Sequence, residues 1–158
     1  MLKLISKNGG VIQLTMLANY LREPSPNATA EKLKSKLLSE MKSVDQMTNQ
    51  DKDNMRKFLQ EIDEKYPIAP ATLKHVVNHI DHIVRIAGID HVGIGCDFDG
   101  GGGIQGVFDV SQVMNITIEL VKRGYTEEQI TKIWGGNLIR VFNEVQAVSK
   151  KIKTDISA

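Results

Sequence analysis

Hydrophobic and polar positions along the chain alternate between two periods. Helical spacing dominates. Leu33, Leu37, Met41 and Val44 fall on one face of a predicted helix, and Met55, Phe58, Leu59 and Ile62 on one face of a second. Val76, Ile80, Ile83, Val84 and Ala87 form the apolar stripe of a third, which Thr72 caps and Gly88 ends. Leu138, Val141, Phe142, Val145 and Val148 repeat the pattern near the end of the chain, and with Trp134 they are expected to be core. Only two segments, Val11 to Met16 and Val92 to Cys96, read as strands. In the second, Gly93 and Gly95 alternate with apolar residues, which suits a strand crowded by neighbouring backbone.

Punctuation fills in the rest. Met1 to Lys7 reads as the last turns of a helix stopped at Gly9. Residues 17–27, with Pro24 and Pro26, read as a loop, and 28–66 as an inserted helical hairpin whose second helix is capped near Thr48 and Asp51. Asp109 caps a helix ending at Gly124. Thr126 to Gln129 has the spacing of a capping box, with Tyr125 and Ile130 as its hydrophobic staple. Gly135 and Gly136 mark a break, and residues 150–158 a frayed tail. The two strands lack the alternation of a sheet with one wet face, so they are expected to be buried inside a larger parallel sheet. Two such strands alone leave long unpaired edges. The pattern therefore reads either as part of a larger fold or as a small α/β domain completed by self-association.

Composition narrows the function. Twenty basic and 19 acidic residues give a net charge of +1, so there is no electrostatic case for nucleic acid or an anionic membrane. No apolar run reaches the roughly 20 residues of a membrane-spanning helix, and the polar start does not resemble a signal peptide. The single cysteine, Cys96, excludes an internal disulfide and fits a reducing, cytoplasmic compartment.

The chemistry concentrates where the second strand stops. Asp97 and Asp99 follow Cys96 directly, and Gly100 to Gly103 follow them. A carboxylate at the C-terminal end of a buried parallel strand, before a flexible loop, is where α/β barrels hold their reactive groups. Asp97 is thus the candidate site residue; the alternative is a loop-capping aspartate that accepts from nearby backbone N–H groups. Asp99 is expected to shape the turn. The segment fails as a calcium loop, because Gly101 and Phe108 stand where ligands belong. The glycine run could cradle a phosphate, although it matches no phosphate-binding motif. His75, His79 and His82 share one helical face, but no carboxylate or cysteine at suitable spacing completes a metal site, so they read as boundary histidines. His91 precedes the strand and reads as structural, and Cys96 as a small buried hydrophobe.

Several of these segments together resemble the renal (membrane) dipeptidase family. They are His79-Ile-Asp-His-Ile83, Ala87 through Asp97-Phe-Asp-Gly100, Gly135-Gly-Asn-Leu-Ile-Arg-Val-Phe142 and Asn8-Gly-Gly-Val-Ile-Gln-Leu14. The resemblance runs from Met1 to Val148 and is least typical in the hairpin. It implies an (α/β)8 barrel with two zinc ions that hydrolyses dipeptides, of which this chain is the C-terminal portion: helix-rich α/β with about two core parallel strands, over residues 1–149. It also implies a role for Asp97 at the end of the last barrel strand, beside the substrate's amino group and the leaving amine. The family's zinc ligands are a His-x-Asp pair, a glutamate and two further histidines, and an arginine grips the substrate carboxylate. This chain has no histidine before His75. The ligands are therefore expected upstream, with no zinc bound to this chain alone and no activity by itself. The rival reading is a non-enzymatic scaffold that self-associates through its strand edges into a homo-oligomer. A phosphate-binding half-barrel is the third.

Overall fold

The computed structural model describes residues 1–23, 27–40, 46–67, 69–100 and 102–156. Pro24, Pro26, Met41, Val44 and Gly101, each used in the sequence reading, lie outside them. In chain order the elements are α1 (Leu2–Lys7), β1 (Ile12–Thr15), α2 (Ala18–Leu21), α3 (Ala28–Glu40), α4 (Asn49–Lys65), α5 (Leu73–Ala87), β2 (Val92–Cys96), α6 (Met114–Lys122), α7 (Glu127–Thr131) and α8 (Asn137–Ile156). The described residues are thus helix-rich α/β with two parallel strands. They divide into two compact units, Met1–Arg22 with Pro70–Ala158, and Glu23–Ala69.

In the larger unit β1 and β2 pair in parallel, Ile12 opposite Val92, Gln13 opposite Gly93 and Leu14 opposite Ile94. The register slips after Leu14, so that Thr15 meets Cys96 and Gly95 becomes the extra residue of a bulge. Glycine relieves crowding there: a Cβ on Gly95 would lie 3.2 Å from the Gln13 carbonyl carbon and the Leu14 carbonyl oxygen. Leu14 and Val92 point into the core, with Ile12 and Ile94 packed against it. The other face does not follow the expected burial on both sides. Gln13 and Thr15 are only partly covered and Gly95 is exposed, although Gly93 is buried, and no third strand pairs with either edge among the described residues.

Helix α5 supplies the opposing layer through Val76, Val77, Ile80 and Ile83. His75 at its third position reaches back to accept from the Thr72 N–H at 3.0 Å, which fixes the helix start. Gly88 ends it at φ 99°, a left-handed value that glycine adopts without strain. Asp109 caps the short turn Val110–Gln112 that leads into α6, and Ile116 and Leu120 of α6 close the core. Arg123, just past α6, clamps it to α5 through Asp81 at 2.6 Å, with Glu119 at 3.1 Å on its own helix. Tyr125 donates to the other Asp81 oxygen at 2.7 Å.

Two expectations at the end of the chain are corrected. Gly135 and Gly136 do not break the chain: residues Lys132–Gly136 form a π-helical turn that joins α7 to α8 without a loop. The widened turn delivers Asn137 into the core, 2% exposed, where its Nδ2 donates to Ile89 O at 2.7 Å and Val92 O at 2.8 Å. Helix α8 then runs to Ile156, the last described residue, and takes in most of the residues read as a tail. Its apolar stripe is not core either: Leu138, Phe142, Val145 and Val148 are between 49% and 61% exposed. Asn137 is its only buried residue. Trp134 is half-buried and donates to Thr117 Oγ1 at 2.8 Å.

The smaller unit is the helical hairpin α3 and α4. Thr48 and Asp51 form a reciprocal capping box at the start of α4, Ala30 and Ile62 are buried, and Lys34 pairs with Asp63 at 2.6 Å.

Candidate active site

The parallel pairing sets the C-terminal ends of β1 and β2 side by side, and the last ladder bond, Met16 N–H to Cys96 O at 2.8 Å, holds them there. At that point the chain of β2 turns sharply. Cys96 and Asp97 take φ values of 48° and 68°, left-handed conformations unusual for side-chain-bearing residues. Two such residues in succession swing the Asp97 side chain out of the strand and into solvent. Gly100 then folds back in the turn Phe98–Gly100, with its N–H donating to Asp97 O at 3.2 Å. A Cβ on Gly100 would stand 2.7 Å from Asp97 Oδ1, so the bare backbone is what lets the carboxylate sit there.

Among the described residues the Asp97 carboxylate has no hydrogen-bond or ion-pair partner. A loop-capping aspartate would accept from a nearby N–H, and none among the described residues donates to this one. Asp99 is exposed within the same turn, as expected of a turn residue. Cys96 packs against the core's edge, and burial pushes its thiol pKa up, so it stays protonated.

A cavity of about 360 Å³ opens at the same strand ends, lined by Leu17, Ala18, Asn19, Tyr20, Gly100 and Gly102. Asn19 and Tyr20 were missed by reading 17–27 as loop; α2 presents them. The usable signal was their position, immediately after a strand whose C-terminal end adjoins that of β2. The glycine run offers less. Gly102 and Gly103 are left-handed at φ 97° and 74°, but Gln105 N–H, two residues beyond them, is spent on Ala71 O at 2.8 Å. The run serves to bring Ile104 into the core.

The histidines do not converge. His79 Nε2 donates to Leu21 O at 3.0 Å and His91 Nδ1 to Gly10 O at 2.7 Å, at the opposite end of the strands from Asp97. His75 Nδ1 is occupied by the helix cap, and Arg85 donates to His82 Nδ1 at 3.0 Å. Among the described residues no group of three or more His, Cys, Asp or Glu side chains could hold a metal ion. The donor set present does not fit a zinc centre.

The pattern of matches with known proteins bears on the whole chain. A family model described as membrane dipeptidase (peptidase family M19) matches residues 1–155. The chain belongs to this dipeptidase family. Among curated relatives, dipeptidase tcpJ of Claviceps purpurea is 42% identical over 84 residues, which span 52% of this chain and 20% of that protein. Dipeptidase ataJ of Aspergillus terreus is 42% identical over 93 residues, 58% of this chain and 23% of that protein. The crystal structure of the probable dipeptidase PvdM from Pseudomonas aeruginosa superposes with a TM-score of 0.69 at 34% identity, covering 92% of this chain and 40% of PvdM. The dipeptidase-family chain thus spans well under half of the relatives it matches. Membership favours the hydrolase reading over the scaffold reading. No helix among the described residues is long and apolar enough to cross a membrane.

Proposed function

We propose that this chain forms the C-terminal part of a zinc-dependent dipeptidase barrel, and that Asp97 is its contribution to the active site. The observation that carries the reading is the uncommitted, solvent-facing Asp97 carboxylate at the paired strand ends, held there by two left-handed residues and a bare Gly100. A lone carboxylate at that end of parallel strands suits a substrate with a free amino terminus. It accepts hydrogen bonds from the ammonium and offsets its charge. In hydrolysis, water adds to the peptide carbonyl carbon, the C–N bond breaks and the departing nitrogen takes up a proton. Asp97, protonated by the attacking water, is placed to deliver it.

The two zinc ions of the complete site would polarise the carbonyl and the water. They are assigned to residues this chain does not supply, because its own histidines do not converge: His75, His79 and His91 are committed to a helix cap and to backbone carbonyls, and His82 accepts from Arg85. The isolated chain is accordingly inactive. A cytoplasmic setting accords with the single thiol.

The test uses a chimera in which this chain replaces the matching part of PvdM. The chimera should hydrolyse dipeptides, Asp97→Asn should lower kcat by about 100-fold or more, and Asp99→Asn should leave it nearly unchanged. An active chimera indifferent to Asp97→Asn refutes the role of Asp97. Dipeptide turnover by the purified chain alone with added zinc refutes the incomplete site.

A further inference from the structure

Of the histidines along α5, His79 alone reaches a distant part of the chain. His75 bonds to the cap at Thr72, and His82 accepts from Arg85 on the same helix. His79 Nε2 instead meets Leu21 O at 3.0 Å, 58 positions earlier in sequence. A carbonyl oxygen only accepts, so Nε2 carries the proton.

Leu21 is the last residue of α2, a single turn that follows β1. Four residues do not hold a helix by themselves, and no side chain caps this one at its start. Leu21 puts its side chain into the core, 4% exposed. Its carbonyl is an orphan of the helix end until His79 donates to it. Among the described residues no other hydrogen bond ties residues 17–21 to a different element.

That turn is one wall of the cavity of about 360 Å³ beside Asp97, through Leu17, Ala18, Asn19 and Tyr20, and Gly100 and Gly102 form the other. The glycine wall is fastened to α5 as well. Gln105 N–H donates to Ala71 O at 2.8 Å and Leu73 N–H to Gln105 O at 2.9 Å, where the helix starts. One helix is thus the base of both walls, and it grips the α2 wall through a single polar bond. Asn19 and Tyr20 are exposed, with side chains unbonded among the described residues. Where they stand is therefore set by the turn that carries them.

We propose that His79 is a positioning residue: by holding Leu21 O it fixes the α2 turn, and with it Asn19 and Tyr20, at the spacing from Gly100 and Gly102 that receives a dipeptide lying on Asp97. The proposal rests on the dipeptidase reading of Asp97. His79 acts through α2 and not on the reacting atoms, which Asp97 meets from a different strand. Without the bond the turn frays, and an arriving substrate has to order it again. Binding weakens by that cost while the chemical step is unchanged.

Two variants separate the bond from the bulk of the ring. His79→Leu keeps an apolar side chain of similar reach without a donor, and His79→Gln returns an N–H as many bonds from Cβ as Nε2 is. Hydrogen exchange of the 158-residue chain, read by mass spectrometry, reports the fastening. The amides of Tyr20, Leu21 and Arg22, which the turn bonds, should exchange about fivefold faster in His79→Leu, those of β2 at the wild-type rate, and His79→Gln should match wild type throughout. In the PvdM chimera His79→Leu should raise KM for alanyl dipeptides (Ala-Ala, Ala-Leu) about fivefold with kcat within about twofold, and His79→Gln should restore KM. Partial unfolding would do the reverse, lowering the apparent kcat at constant KM. Unchanged exchange at residues 20–22 in His79→Leu overturns the proposal. So does an active chimera in which His79→Leu leaves KM alone, or a His79→Gln variant as loose as His79→Leu. A chimera inactive before any substitution refutes the dipeptidase reading and the role toward substrate with it, while the exchange rates still decide the fastening of α2.

Discussion

Replacing Asn137 tests how the end of the chain is fastened to the sheet. Its side chain is buried, and Nδ2 donates to two carbonyls, Ile89 O at 2.7 Å and Val92 O at 2.8 Å, just before and at the start of β2. Asn137→Ala removes both bonds and leaves two acceptors facing a small void. Each bond contributes about 1 kcal/mol net, and each orphaned acceptor costs about 1–3 kcal/mol unless water reaches it. A loss of about 2–4 kcal/mol follows, a large share of the roughly 5–15 kcal/mol that holds a domain together. Asn137→Asp keeps the shape and sharpens the argument. The introduced carboxylate would face two carbonyl oxygens without a donor, so its folded-state pKa rises above the unfolded value of about 4. A group shifted that way favours folding while protonated. The Asp variant should therefore be least impaired below about pH 4 and lose further stability as pH rises through and beyond that value, falling below the Ala variant at pH 7. Urea unfolding followed by circular dichroism at pH 4 and pH 7 reads both variants. If Asn137→Ala costs less than about 0.5 kcal/mol, or if the Asp variant matches wild type at pH 7, the two hydrogen bonds do not fasten α8 as argued.

Two other outcomes follow from the site and the clamp. Asp97→Gly should raise stability by about 0.5–1 kcal/mol, because glycine adopts φ 68° without strain; an unchanged or lower midpoint in thermal unfolding contradicts the strained turn. Burial first, and then the hydrogen bond to Asp81, push the Tyr125 phenol pKa well above its ordinary value. A raised folded-state pKa means that its contribution is intact below about pH 10 and lost as pH climbs through the folded value. Tyr125→Phe should flatten the alkaline limb of the stability profile, and a limb identical to wild type would remove Tyr125 from it.

The candidate site was legible in part because its determinants are short-range. The apolar run ending in Asp97 and the glycine after Asp99 needed only adjacency to suggest a strand end with a carboxylate. What adjacency could not supply was the left-handed pair Cys96 and Asp97 or the bulge at Gly95, since both arise from the ladder with β1, about 80 residues earlier in sequence. Asn19 and Tyr20 join the same end of the sheet only through that pairing.

By itself the sequence determined where helices begin. Thr48 with Asp51, Thr72 with His75, and Thr126 with Gln129 bond within three residues of one another, so no distant contact was needed to set them. It also determined the stripe of α5 that becomes core. The tertiary structure alone decided that the similar stripe of α8 stays open, and that Gly135 and Gly136 extend a π-helical turn instead of ending a helix. Periodicity states that a face is apolar; only the elements opposite decide whether that face is covered, and Asn137 could become an anchor only once Ile89 and Val92 had been folded beneath it.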